Sequence, residues 1–182
     1  MMIGLRRSPA HFDQAVRAHS SELFQYAAWL CRDRHRAEDI LQEAFARAWK
    51  SWDQVNDESG RRSWLYTIVR NEFLREHGRI NARAEDPEDD EPVDVADATD
   101  FTQGVEIRDI LVRLPKQFLE PLLLQNLMGM SCEEIGAVMG LSTGATMTRL
   151  TRARMALSQL MRGEAESNAA PVLKLVRSGG QL

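Results

Sequence analysis

The stretch Met130-Ser131-Cys132-Glu133-Glu134-Ile135-Gly136-Ala137-Val138-Met139-Gly140-Leu141-Ser142-Thr143-Gly144 decides the fold of the C-terminal half. Ser131 followed by Glu134 is a capping box: the serine oxygen takes a free amide of the first turn, and the glutamate returns to the cap amide. The short helix Cys132 to Met139 buries Ile135 and Val138. Gly140 takes the left-handed conformation that ends it, and Leu141 plugs the corner. Ser142 caps a longer helix carrying Leu150, Ala153, Leu157 and Met161. Helix, three-residue turn, helix is the helix-turn-helix pattern. The second helix shows Thr143, Thr146, Thr148, Arg149, Arg152 and Arg154 among its apolar positions. Short hydroxyls let a helix approach DNA closely, and guanidinium groups clamp phosphates or read guanine edges.

Upstream of this motif, Ile107, Ile110, Leu111 and Leu114 recur on one helical face, and Pro115 either stops that helix or starts the next. The apolar segment Phe118 to Leu127 contains Pro121, so its helix either begins late enough to put the proline in its first turn or bends there. Residues 82–104 hold two prolines, nine acids and few large apolar side chains, which reads as a flexible, self-repelling linker. In the N-terminal half, Phe12, Val16, Leu23, Ala27 and Leu30 mark a first helix. A second, from about Arg36 to Trp49, sets Ile40, Leu41, Ala44, Phe45, Ala48 and Trp49 against a charged face with Glu38, Asp39, Gln42, Glu43 and Arg47. Residues 51–62 read as a loop. Ser63 is placed to cap a third helix from Trp64 to about His77, with Leu65, Ile68, Val69 and Phe73 inward. The fold class is therefore all-α: two small helical domains, the second with the helix-turn-helix, joined by an acidic linker. The expected division is 1–84, 85–104 (linker), 105–163 and 164–182 (tail).

The chain has 182 residues and a net charge of -4, which argues against nucleic acid until it is divided along the sequence. Residues 1–84 hold 14 Arg/Lys against 11 Asp/Glu, residues 105–163 hold 7 against 5, and residues 85–104 hold 9 acids and no base. The acidity sits in the linker, so two slightly basic modules remain, and only their faces must suit a phosphate backbone. No stretch approaches the roughly 20 apolar residues of a bilayer span, and Met1 to Ala10 holds no apolar run for a signal peptide; a cytosolic protein with no direct membrane insertion is expected. Cys31, Cys132 and four scattered histidines give neither a disulfide framework nor metal-ligand spacing. With no phosphate loop, metal triad or nucleophile with a recognisable base, neither catalysis nor a cofactor is expected.

The order of these features resembles the small two-domain sigma factors of the extracytoplasmic-function group, which retain regions two and four. Ala37-Glu38-Asp39-Ile40-Leu41-Gln42-Glu43-Ala44-Phe45-Ala46-Arg47-Ala48-Trp49 looks like the region-two helix that docks on the clamp helices of the polymerase largest subunit. Trp64-Leu65-Tyr66-Thr67-Ile68-Val69-Arg70-Asn71 is similar to the helix that opens and reads the upstream edge of the minus-ten element. Leu114-Pro115, the capping-box segment and Arg149-Leu150-Thr151-Arg152-Ala153-Arg154 resemble the region-four motif that reads the minus-thirty-five element.

The resemblance implies three partners: core RNA polymerase, promoter DNA and an anti-sigma protein, the last sometimes membrane-bound. It assigns polymerase contacts to Asp39, Gln42 and Glu43. DNA contacts fall on Arg70, Asn71, Arg75 and Arg79 in the first domain and on Thr143, Thr146, Arg149 and Arg152 in the second. The loop Asp53 to Arg62 would hold a flipped base, Trp64 reads as a core aromatic, and Arg154 is a candidate helix brace. Ala145, Thr146 and Met147 stand where the family has threonine, a branched apolar residue and lysine, so a phosphate-binding cation is missing; Leu119 replaces an arginine. The acidic segment is either a phosphate mimic that enters a basic channel or a solubilising tether. The rival reading of the whole chain is a sigma mimic that sequesters an anti-sigma protein without initiating transcription.

Overall fold

The computed structural model describes residues 9–55, 60–81 and 105–177, with side chains described for these except at 54, 79–81, 105–106 and 164–177. All regular structure among them is helical: α1 Pro9–Cys31, α2 Arg34–Ser51, a 3-10 turn Trp52–Gln54, α3 Arg61–Asn81, α4 Val105–Val112, α5 Lys116–Asn126, α6 Cys132–Met139 and α7 Thr143–Arg177. No described helix is long and apolar enough to cross a membrane. The expected linker, residues 85–104, lies outside the described residues, as does the end of the expected tail, 178–182.

The first cluster is α1 to α3. The inner stripe of α2 is Ala37, Ile40, Ala44 and Ala48, all buried, and the small alanines let α1 and α3 approach closely. Leu23, Tyr26, Ala27 and Leu30 of α1 and Leu65, Tyr66, Val69 and Phe73 of α3 fill the space. Each large apolar side chain buried in this way contributes about 1.5–3 kcal/mol relative to exposure. Asp33 caps α2, its carboxylate accepting from the Arg36 amide at 3.1 Å. Arg32, between α1 and α2, sits at φ 55, a left-handed conformation that any residue with a β-carbon adopts at a cost.

The third helix begins at Arg61, earlier than Ser63 had implied. The Trp64 amide reaches the Gly60 carbonyl at 3.0 Å, and Ser63 lies inside the helix, its hydroxyl donating back to the same carbonyl at 3.0 Å. The early start has tertiary support: Arg61 lies over the Trp52 ring (5.1 Å) and Arg62 over Tyr66 (5.5 Å).

The second cluster is α4 to α7, built on Leu114, Leu119, Leu122, Leu123, Leu124, Ile135, Val138, Leu150 and Ala153. Pro115 starts the next helix as the residue before α5, its carbonyl accepting from the amides of Phe118 and Leu119. Pro121 is in the interior of α5, not its first turn, so the Gln117 carbonyl receives no i+4 amide. Complete burial of the proline ring in the leucine cluster offsets that loss. The capping box forms as read, with Ser131 N to Glu134 Oε2 at 2.8 Å and Glu134 N to Ser131 Oγ at 3.2 Å. Gly140 takes φ 67, and the Ser142 hydroxyl accepts from the Ala145 amide at 3.2 Å. Instead of giving way to a separate tail near residue 164, α7 continues to Arg177.

The two clusters are not apart. One continuous core runs through both, with α3 packed on α6 and α1 on α5.

Candidate nucleic-acid interface

On α2, Asp39, Gln42 and Glu43 are all exposed on the face opposite the buried alanine stripe. Leu41, Phe45 and Trp49, one helical turn apart, are half-buried alongside. A carboxylate pair flanked by partly open apolar groups is a surface on which a basic, amphipathic helix of a partner can pack.

The basic set on α3 divides. Asn71 and Arg75 are exposed; Arg75 Nη1 donates to both oxygens of the buried Glu72 carboxylate, at 2.7 and 2.8 Å. Glu72 also pairs with Arg47 of α2, so two guanidiniums share one carboxylate and a surplus positive charge stays at the surface. Arg70 points elsewhere: its Nε lies 2.6 Å from Glu120 Oε1 of α5, and only 19% of its side chain is accessible. Arg79 is within α3, but its side chain lies outside the described residues. In the loop expected to capture a base, residues 56–59 are likewise outside them. Trp64 is half-buried, its ring 6.2 Å from that of Trp52, which in turn meets Phe12 edge-on at 5.1 Å. Trp64 is thus part of an aromatic cluster at the base of the loop.

On α7, Thr143 and Arg152 are exposed and Arg149 is half-buried. Thr146 is corrected: it is wholly buried, its hydroxyl donating to the Ser142 carbonyl at 3.0 Å, so in this arrangement it packs the turn and does not reach a ligand. Arg154 braces the module, donating to Gln125 Oε1 of α5 at 2.6 Å. Met147 is exposed at the position where a lysine was expected.

Four residues that the sequence did not single out as site residues stand out here: Tyr26, Arg32, Arg62 and Glu120. The Tyr26 hydroxyl donates to Glu120 Oε1 at 2.8 Å. Arg32 Nη2 donates to the Val112 carbonyl at 2.6 Å. Arg62 bonds Glu22 through Nε (3.0 Å) and Nη2 (2.7 Å) and reaches the Met128 carbonyl at 2.6 Å. Burial raises the Tyr26 phenol well above its ordinary value, and the Glu120 charge and hydrogen bond push the same way. Burial also pushes Glu22 up, but the bonds from Arg62 and His19 outweigh it and hold the carboxyl below its ordinary value. A signal available beforehand was Glu120 itself, a lone acid within the apolar run Phe118 to Leu124, which has to find a buried partner.

Comparison with known proteins gives this geometry a family. Residues 15–83 match the family model for sigma-70 region 2, and residues 104–157 that for sigma-70 region 4. The chain is 33% identical over 155 residues to the extracytoplasmic-function RNA polymerase sigma factor SigE of Mycolicibacterium smegmatis, covering 80% of this chain and 60% of that one. It is 30% identical over 139 residues to the sigma factor EcfG of Rhodopseudomonas palustris, covering 75% and 77% respectively. Among solved structures, the sigma factor RpoE bound to the anti-sigma factor NepR from Bartonella quintana matches with a TM-score of 0.65 at 26% identity, over 84% of this chain and 97% of that one. CnrH in complex with the cytosolic domain of CnrY also gives 0.65, at 27% identity over 86% and 91%.

Proposed function

Because this chain belongs to the extracytoplasmic-function sigma factors of the sigma-70 family, we propose that it binds core RNA polymerase and directs promoter recognition and melting, under control of an anti-sigma protein. It contributes no covalent chemistry of its own. The reading is carried by the coexistence, on one chain, of an acidic face on α2, a basic third helix beside it and a capped helix-turn-helix. In that scheme residues 1–84 form the polymerase and minus-ten module, with Asp39, Gln42 and Glu43 on the clamp. Asn71 and Arg75, joined by Arg70 and Arg79, meet the DNA that is being opened. Residues 105–163 form the minus-thirty-five module, in which Thr143, Arg149 and Arg152 meet the duplex. Residues 85–104 tether the two, so that docking of one raises the local concentration of the other.

Regulation by an anti-sigma protein is supported by the structural relative captured with such a partner, RpoE bound to the anti-sigma factor NepR. The discriminating experiment is reconstitution with core polymerase on a promoter library. A sigma factor opens at least one class of promoter. A sequestering mimic competes for an anti-sigma protein and opens none.

A further inference from the structure

We infer that the arrangement seen here is a self-closed state, latched by Glu120, in which the second module holds Arg70 away from DNA. The inference rests on the proposed reading of α3 as a DNA-facing helix.

Every hydrogen bond described above between the modules runs in one direction. Tyr26, Arg32, Arg62 and Arg70 of the first module donate; Glu120 and the carbonyls of Val112 and Met128 in the second accept. Glu120 receives two of them and is itself buried, at 8% accessibility. A carboxylate in that position is tolerable only while its partners stay in place. A guanidinium engaged in this pair is not available to a phosphate, so closure removes one cation from the basic set.

Two contacts away from Glu120 also serve the closed state. Arg32 holds a left-handed backbone, and its guanidinium takes the last carbonyl of α4, an acceptor that a helix end leaves open. Lys116 of the second module lies 5.6 Å over the Phe73 ring of α3. The left-handed backbone at Arg32 ends α1, its amide reaching the Ala28 carbonyl at 2.8 Å, a turn that a glycine would hold without cost. What arginine adds there over glycine is the bond to Val112. Opening would give Arg70 and Glu120 back to water, so the same charges that hold the interface also make its separation tolerable.

The test uses the full-length chain. Small-angle scattering gives the radius of gyration, and fluorescence anisotropy gives the affinity for a labelled minus-ten DNA strand without polymerase. Glu120→Gln keeps the shape but removes the charge. Removing the charge from one partner leaves the partly buried Arg70 guanidinium without its counter-charge, which shifts such an equilibrium strongly. The radius should rise, and DNA affinity should increase about tenfold, with a salt slope steeper by about one phosphate contact. Arg32→Gly is the second variant: it relieves the backbone, so melting of the first module should not suffer, yet it loses the Val112 bond and should also open the chain. A wild-type radius in both variants overturns the latch, whatever the DNA does. A raised radius with unchanged DNA affinity also overturns self-inhibition. In that case promoter opening by polymerase carrying Arg70→Ala shows which premise failed: undiminished opening means that α3 does not face DNA, and lost opening means that Arg70 acts only within the polymerase complex.

Discussion

A β-carbon at Gly136 would stand 2.8 Å from the backbone carbonyl oxygen of Leu141 and 3.2 Å from the Thr146 hydroxyl. The angle between α6 and α7 therefore depends on a missing side chain. Because the nearest atom is backbone, the turn itself must move to admit a methyl. Gly136→Ala is expected to cost about 1–3 kcal/mol, the range for overpacking a tight interior. Thermal unfolding would measure it, and an unchanged midpoint would show the turn to be looser than this.

Ser131→Ala tests the same motif through its cap. Losing the bond to the Glu134 amide should destabilise the second module by about 1 kcal/mol. Glu134 is held below its ordinary value first by the backbone amide of Ser131 and then by its side chain; the variant keeps the first and loses the second, so that carboxyl should return part of the way upward, which carbon-detected titration would follow.

The polymerase face is tested by Asp39→Ala with Glu43→Ala. Both are exposed, so folding stability should change by no more than about 0.5 kcal/mol. Affinity for core polymerase should fall about tenfold or more. Parallel losses of folding and binding would make these residues structural.

Glu22 predicts an acid limit on stability. Its folded value is lowered from 4.5, so the unfolded chain binds the proton more readily. The stabilisation is present above the unfolded value and is lost as pH falls from about 4.5 through the lower folded one. Melting midpoints taken from about pH 6 to about pH 3 should decline over this window, and Arg62→Met should remove part of that decline. An identical acid profile in the variant would contradict the assignment.

Much of this was legible beforehand because it is local. Ser131, Glu134, Gly140 and Ser142 act on backbone groups within four residues, and spacing alone exposes them. The α2 stripe was legible for the same reason, since periodicity fixes which face is inside. Thr146 was misread because a hydroxyl at a helix start fits both a DNA contact and a bond to the preceding turn; only the packing of α6 decides. Pro121 could not be placed without knowing that Leu119, Leu122, Leu123 and Leu124 bury it. The contacts of Arg70, Tyr26, Arg32 and Arg62 join residues 50 to 94 positions apart, for which sequence spacing carries no signal.

The second module's role separates from the first through Arg149→Ala with Arg152→Ala. Upstream duplex binding should weaken, with a salt slope shallower by about one or two phosphate contacts, while capture of a pre-opened minus-ten strand stays near wild type. Equal loss of both activities would contradict a division of labour between the modules.

The most direct test of the central claim is permanganate reactivity of promoter thymines with core polymerase and this chain, run beside a core-binding titration. Wild-type protein should make minus-ten thymines reactive on at least one class of promoter. Arg70→Ala with Arg75→Ala should leave core binding intact and reduce that reactivity sharply. Wild-type protein that binds core yet opens no promoter, or a double variant that opens a responsive promoter as well as wild type, would contradict the assignment of α3 to promoter melting.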